Sequence, residues 1–336
     1  MLEQYSIPVD YTRPRTKVTV VGCGRWGSFL AWYAAELGHN VTLCGRRGSI
    51  SYEKLAMTRK NEYVTLPRSV ALSDDFARAV GSANVVLVSV PSQSFRDVMA
   101  ELSANCDLKK KYIVTCMKGI EITTGKRLSE VALEFGLEEW QIAVWVGPGH
   151  VQEFVVGNPN CMLIDGYDRT TVGRIVEWFK SPLIRFYYGT DIIGTEIGAA
   201  TKNVMGIVAG GLDGMNLSSL KGALMARGSR EVARLIDKLG GNPMSAYGLC
   251  HLGDYETTLF SKFSHNRTWG EEYVVGKKFK LLAEGVHTAR AVALIADRLG
   301  VDMPITSAVN TMILEHVPPR TVMEQLFDRS LKDDLV

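Results

Sequence analysis

Short apolar runs and helix-like stretches alternate through the first half of this chain. Runs at 17–22 (KVTVVG), 40–44 (NVTLC), 84–90 (NVVLVSV), 112–117 (YIVTCM) and 141–147 (QIAVWVG) predict strands, followed by 161–165 and 184–188. The early runs are almost wholly apolar, as in parallel strands covered on both faces. Between them, 26–38, 73–81, 93–105 and 126–136 are long enough to be crossover helices. That alternation predicts an α/β fold built on a doubly wound sheet. Past residue 190 the apolar positions recur at three and four, and strand-like runs largely stop. Helices are predicted over 191–210, 220–239, 271–281, 286–299 and 305–316. The expected division is a leader over 1–16, a sheet domain over 17–190 and an all-helical domain over 191–336.

The length of 336 residues suits two domains, and 46% apolar residues suffice for their cores. A net charge of +2 implies no polyanion field, and the KKK at 109–111 is too short for a basic stripe, so no nucleic-acid partner is expected. Six cysteines form no C-x-x-C pair and no zinc spacing, so no metal is expected and the thiols read as reduced. The first residues carry acids and prolines without an apolar core, which reads as a loose leader and not a signal peptide. No run is long enough to span a bilayer, and a cytoplasmic location is expected.

One stretch carries chemistry. Gly22-x-Gly24-x-x-Gly27 lies between a predicted strand and a predicted helix, and the unit closes on a second strand at 44. In a dinucleotide site Gly22 would permit the tight turn, Gly24 the approach of the pyrophosphate, and Gly27 the close packing of helix on strand. The helix N-terminus would then present free N–H groups to the phosphates. The competing reading is a structural glycine turn. An NAD site usually ends its second strand in an acid, whereas this chain has Cys44-Gly45-Arg46-Arg47. Arginine can grip a 2′-phosphate through its planar fork, which favours NADP over NAD; the alternative is two solvated arginines.

From about residue 17 to past 310 the sequence resembles the NAD(P)-dependent glycerol-3-phosphate dehydrogenases of the soluble, bacterial biosynthetic type. The segments, in order, are GCGRWG (22–27), VPSQSFRDV (90–98), MKGIE (117–121), VGPGHVQE (146–153), EIGAATKNVMGIVAGGLDG (196–214), GDYETTLFSKFSHNRTWG (253–270) and AEGVHTA (283–289). The sixth is similar to the family's G-D-L-x-x-T-C-x-S-x-x-S-R-N-R-x-x-G. The resemblance implies a Rossmann domain followed by a helical domain. It also implies reversible reduction of dihydroxyacetone phosphate to sn-glycerol 3-phosphate, for glycerophospholipid synthesis. The implied partners are small molecules and allow a homodimer.

Ketone reduction needs a proton donor and a cation at the carbonyl oxygen. Lys202 lies in an otherwise apolar helical stretch, where burial would lower its pKa toward a useful range. The resemblance gives Lys202 the role of proton donor and acceptor, and Lys118 contacts to both cofactor and substrate. Carried over in the same way, the substrate residues are Lys118, Gly147, Gly149, Lys202, Asn203, Asp254, Ser264, His265 and Asn266. The cofactor residues are Gly22, Gly24, Arg25, Trp26, Gly27, Arg46, Arg47, Lys118, Val151, His265, Leu282 and Glu284. Without the resemblance, Lys202 could snorkel from a helix face and Asp254 could cap a helix.

Some positions depart from the family pattern. His265 replaces an arginine, Gly149 a serine or threonine, and Val151 an alanine. Weaker phosphate binding is expected, restored in part by Arg267 or by protonated His265. Two alternatives stay open: a reductase of another small phosphorylated or hydroxylated ketone, and a dinucleotide sensor without turnover.

Overall fold

The computed structural model of the chain describes residues 4–8 and 10–331. Residues 1–3 and 9 of the expected leader, and 332–336 of the expected helical domain, lie outside that description. The chain divides into two compact units. One runs to Lys118 and resumes over Lys126–Glu196; the other takes Gly119–Gly125 and the chain from Ile197 on.

The first unit alternates strand and helix. Its elements are β1 (Lys17–Val21), α1 (Arg25–Glu36), β2 (Asn40–Cys44), α2 (Ile50–Thr58), β3 (Ala71–Ser73), α3 (Phe76–Gly81), β4 (Val85–Val88), α4 (Phe95–Asn105), β5 (Tyr112–Thr115), α5 (Leu128–Leu133), β6 (Ile142–Val146), α6 (Val151–Phe154), β7 (Asn160–Gly166), α7 (Arg169–Phe179) and β8 (Ile184–Tyr188). The strand order is β3-β2-β1-β4-β5-β6-β7-β8. All pairs are parallel except β6 with β7. The chain winds outward both ways from β1 and β4, so the loops after these two strands meet at the topological switch point.

Every residue of β4 and β6 is buried, as their unbroken apolar runs require of strands with helices on both faces. β8, at the sheet edge, alternates more: Ile184 and Phe186 face in, while Arg185, Tyr187 and Tyr188 face out. The expected loose leader is anchored at Tyr5 and Ile7, while Tyr11 stays 86% exposed. Ile7 is 2% exposed in the core cluster, and Tyr5 N–H donates to the Val155 carbonyl (2.8 Å).

The second unit is helical. It holds most of α8 (Ile192–Gly214), then α9 (Lys221–Lys238), α10 (His265–Val274), α11 (Glu284–Leu299), α12 (Pro304–Leu314) and α13 (Pro319–Phe327). α8 is apolar almost all round and buried over most of its length. Glycines let α10 approach it: a Cβ at Gly210 would lie 1.8 Å from the Arg267 carbonyl oxygen, and one at Gly270 2.0 Å from that of Ile207. The helix expected over 271–281 is corrected to α10. Its start is set by Ser264, whose side chain accepts from Arg267 N–H, and beyond its end the chain turns through Gly276 at φ +74°. All six cysteines are free thiols. No described helix is long and apolar enough to cross a membrane.

Candidate active site

In the first unit the candidate residues gather at the C-terminal ends of parallel strands. Gly22 follows β1 with φ +115°, and a Cβ there would lie 2.1 Å from the Ser89 carbonyl oxygen of the loop after β4. A Cβ on Gly27 would lie 1.9 Å from the Gly22 carbonyl oxygen. Both glycines are therefore required by backbone contact, as the spacing predicts. Gly24, at the head of α1, is different: it is exposed, with open space where a Cβ would stand. No side chain caps α1 and no acid lies in its first turn, so the helix start fits an anionic pyrophosphate. Arg25 lies over the Tyr63 ring at 5.6 Å, and Trp26 packs on Phe29 (4.9 Å).

The two arginines after β2 differ. Arg46 is exposed and makes no ion pair among the described residues, while Arg47 is held by Asp74 (2.6 Å) from beyond β3. Lys118, past the end of β5, donates to the Gly147 carbonyl at 2.7 Å, which joins two of the expected substrate residues. Gly147 and Gly149 stand at φ +127° and +143°, where a side chain strains the backbone. A Cβ on Gly149 would sit 2.3 Å from the Phe154 ring, so that ring fills the place of the hydroxyl expected from the family pattern. Val151, expected at a cofactor-facing position, opens α6; its side chain is 2% exposed and part of the core under α1.

In the second unit the catalytic candidates converge from separate segments. Lys202, on α8, is 7% exposed. Its ammonium pairs with Asp254 Oδ2 (2.9 Å) and donates to Thr258 Oγ1 (2.6 Å). The Thr258 hydroxyl in turn donates a hydrogen bond to the Asp254 carbonyl (2.7 Å). Asp254 is fully buried and carries the compensating charge, which favours the ammonium and opposes the cost of desolvation. Lys202 thus neither snorkels to solvent nor sits uncompensated. Thr258 was not foreseen; it lies four residues beyond Asp254 on a one-turn π-helix (Glu256–Phe260) that only the folded chain reveals.

The neighbouring Asn203 accepts from Asn266 Nδ2 (3.0 Å), and Asn266 Oδ1 accepts from Gly285 N–H (2.9 Å) at the start of α11. Glu284 opens that helix, and Leu282 just before it is 45% exposed. Ser264 is occupied as the α10 cap, and His265, the first residue of α10, sets its ring edge-on to Phe279 (5.9 Å). Arg267 is corrected as a phosphate ligand: its guanidinium is taken by Asp213 (2.7 and 2.8 Å) and by Glu271 (3.1 Å). Among the described residues no cluster of metal-ligating side chains occurs.

Comparisons with known proteins identify the family. The profile of the NAD-dependent glycerol-3-phosphate dehydrogenase N-terminus matches residues 17–172, and that of its C-terminus matches 191–324. The chain is 38% identical over 332 residues to an NAD(P)+ glycerol-3-phosphate dehydrogenase of Chlorobium phaeobacteroides (strain BS1), spanning 95% of this chain and 99% of that protein. An enzyme of the same name from Prosthecochloris aestuarii is also 38% identical, with the same coverage. The crystal structure of glycerol-3-phosphate dehydrogenase from Coxiella burnetii superposes with a TM-score of 0.87 at 25% identity, over 94% of this chain and 99% of that one. The Plasmodium falciparum enzyme shares the fold (TM-score 0.80, 16% identity, 96% and 98% of the two chains). With both profiles matched in chain order, and relatives aligned along nearly their whole length, this chain belongs to the NAD-dependent glycerol-3-phosphate dehydrogenase family.

Proposed function

We propose that the chain reduces dihydroxyacetone phosphate to sn-glycerol 3-phosphate, with Lys202 as the proton donor and NADP(H) as the preferred dinucleotide. The observation that carries the mechanism is the buried Lys202 with Asp254 and Thr258 on its ammonium. A nicotinamide dinucleotide, when bound, would supply the hydride for the carbonyl carbon. As charge grows on the carbonyl oxygen, the Lys202 ammonium stabilises it and gives up a proton. Asp254 and Thr258 hold that ammonium in one place, which lowers the cost of orienting it. In the reverse direction the neutral amine takes the hydroxyl proton. Asn203 and Asp254 would hold substrate hydroxyls, Lys118 the substrate and cofactor together, and Asn266 with His265 the phosphate.

The cofactor preference rests on Arg46, since an acid at this place would repel a 2′-phosphate. The product supplies glycerophospholipid synthesis; a cytoplasmic location is retained, and a homodimer is allowed. The test is the initial rate of NADPH and NADH oxidation with dihydroxyacetone phosphate, set beside several other small keto substrates. The expected result is fastest turnover with dihydroxyacetone phosphate and NADPH. Cofactor binding without oxidation, or a better substrate outside the triose phosphates, would overturn the assignment.

A further inference from the structure

Asp254 is followed directly by Tyr255, in the run Gly253-Asp254-Tyr255. Tyr255 is 0% exposed, and so is His251 four residues earlier. Their bonding order follows from chemistry. The Gly198 carbonyl can only accept, so His251 Nδ1 donates to it at 2.9 Å. His251 Nε2 is then the acceptor, and the Tyr255 hydroxyl donates to it at 2.6 Å. The imidazole is neutral in this arrangement, and burial pushes it down to about 4.

The pair joins two specific places. Gly198 lies on α8 one turn before Lys202, and its lack of a side chain admits the His251 segment: a Cβ there would stand 3.1 Å from His251 Cβ and 3.0 Å from Cys250 Sγ. Tyr255 lies between Asp254 and the turn that presents Thr258. On its far side, Gly228 of α9 leaves room for the hydroxyl, since a Cβ there would lie 3.3 Å from it. A leucine at 255 could fill the volume but could not fix a direction. A buried hydrogen bond does both, because its strength falls off with angle.

We propose that His251 and Tyr255 are positioning residues: their buried hydrogen-bonded pair fixes the Asp254–Thr258 turn against α8, and thereby the two contacts on the Lys202 ammonium. This rests on Lys202 being the proton donor. The pair exchanges no proton with substrate; it sets where the donor stands. Displacement of a catalytic group by a fraction of an ångström to an ångström costs about tenfold to a hundredfold in rate.

The test compares Tyr255→Phe, His251→Gln and the double variant with Lys202→Ala, in the full chain with dihydroxyacetone phosphate and NADPH. Tyr255→Phe keeps the ring and removes only the directing hydroxyl. The expected result is a fall in kcat of about tenfold or more, with both KM values within about twofold of the parent, because the defect lies in the transition state and not in binding. The double variant should be no slower than the slower single, as a pair acting as one unit requires. Full kcat in Tyr255→Phe beside an inactive Lys202→Ala would overturn the positioning role alone. Strictly multiplicative losses in the double variant would do the same. Full turnover in Lys202→Ala would remove the proton-donor assignment, and this proposal with it. If His251→Gln does not fold, Tyr255→Phe carries the decision by its kcat against KM, with the thermal midpoint showing that the fold is kept.

Discussion

The glycine loop after β1 and the lysine cluster on α8 are built by opposite means. Around Gly22 and Gly27 the backbone does the work: loops and helix approach so closely that no Cβ fits, and what is offered to a ligand is bare N–H. Around Lys202 the side chains do the work, and the groups come from residues 202, 254 and 258, with 203, 266 and 285 beside them. The first site leaves no room for a methyl at Gly22 or Gly27. The second depends on a charge balance and fails when one partner is removed. A single chain therefore carries one site whose information is local and another whose information is distributed.

The strongest way to break that comparison is Lys202→Ala. It should lower kcat by about a hundredfold to ten-thousandfold, as loss of a positioned proton donor does. The NADPH dissociation constant, followed by cofactor fluorescence, should stay near the parent value. A parallel collapse of cofactor affinity would show that the two sites are not separable.

Next in size is a pH effect confined to the side-chain site. His251 is held below its ordinary value of 6.5, at about 4, by burial. Its contribution to stability is complete above 6.5 and is lost as pH falls from there toward 4, because the unfolded chain takes up a proton that the folded site refuses. The loss amounts to about 3 kcal/mol across that window. Burial raises the carboxyls of Glu196 and Glu231, which works in the opposite direction on acidification. The His251 share is therefore read as the difference in urea-unfolding free energy between the parent and His251→Gln. Parallel pH curves for the two proteins would sink it.

Gly27→Ala sharpens the other side. Its methyl would have to stand 1.9 Å from the Gly22 carbonyl oxygen, so α1 must shift. Overpacking of this kind costs about 1–3 kcal/mol, and the same shift should weaken dinucleotide binding. Urea unfolding and cofactor titration check both; an unchanged dissociation constant would mean that the helix start does not hold the phosphates. The smallest expected effect is at Arg46. Its replacement by alanine should raise the KM for NADPH about tenfold and leave that for NADH unchanged, the loss of one charge-assisted contact. Equal changes for the two cofactors would show that the arginine does not read the 2′-phosphate.

What could be read from the sequence follows the same split. The run-and-gap pattern determined the parallel sheet and the helical half, because strands buried on both faces must be apolar throughout and helices must repeat near 3.6. The spacing of Gly22 and Gly27 determined the tight turn at the head of α1, since a turn and a packing contact within six residues leave a local trace. Lys202 was conspicuous as a charge in an apolar stretch; only the motif resemblance offered Asp254 as a residue to orient it, and nothing local to Lys202 did. Only the tertiary structure decided that Thr258 faces Lys202, that Asp213 pairs with Arg267, that the Val151 side chain lies in the core, and that the Phe154 ring fills the space beside Gly149. Each of these depends on which groups from distant segments meet in space. A charge or a methyl is placed by packing, and packing has no period that a single chain segment can display.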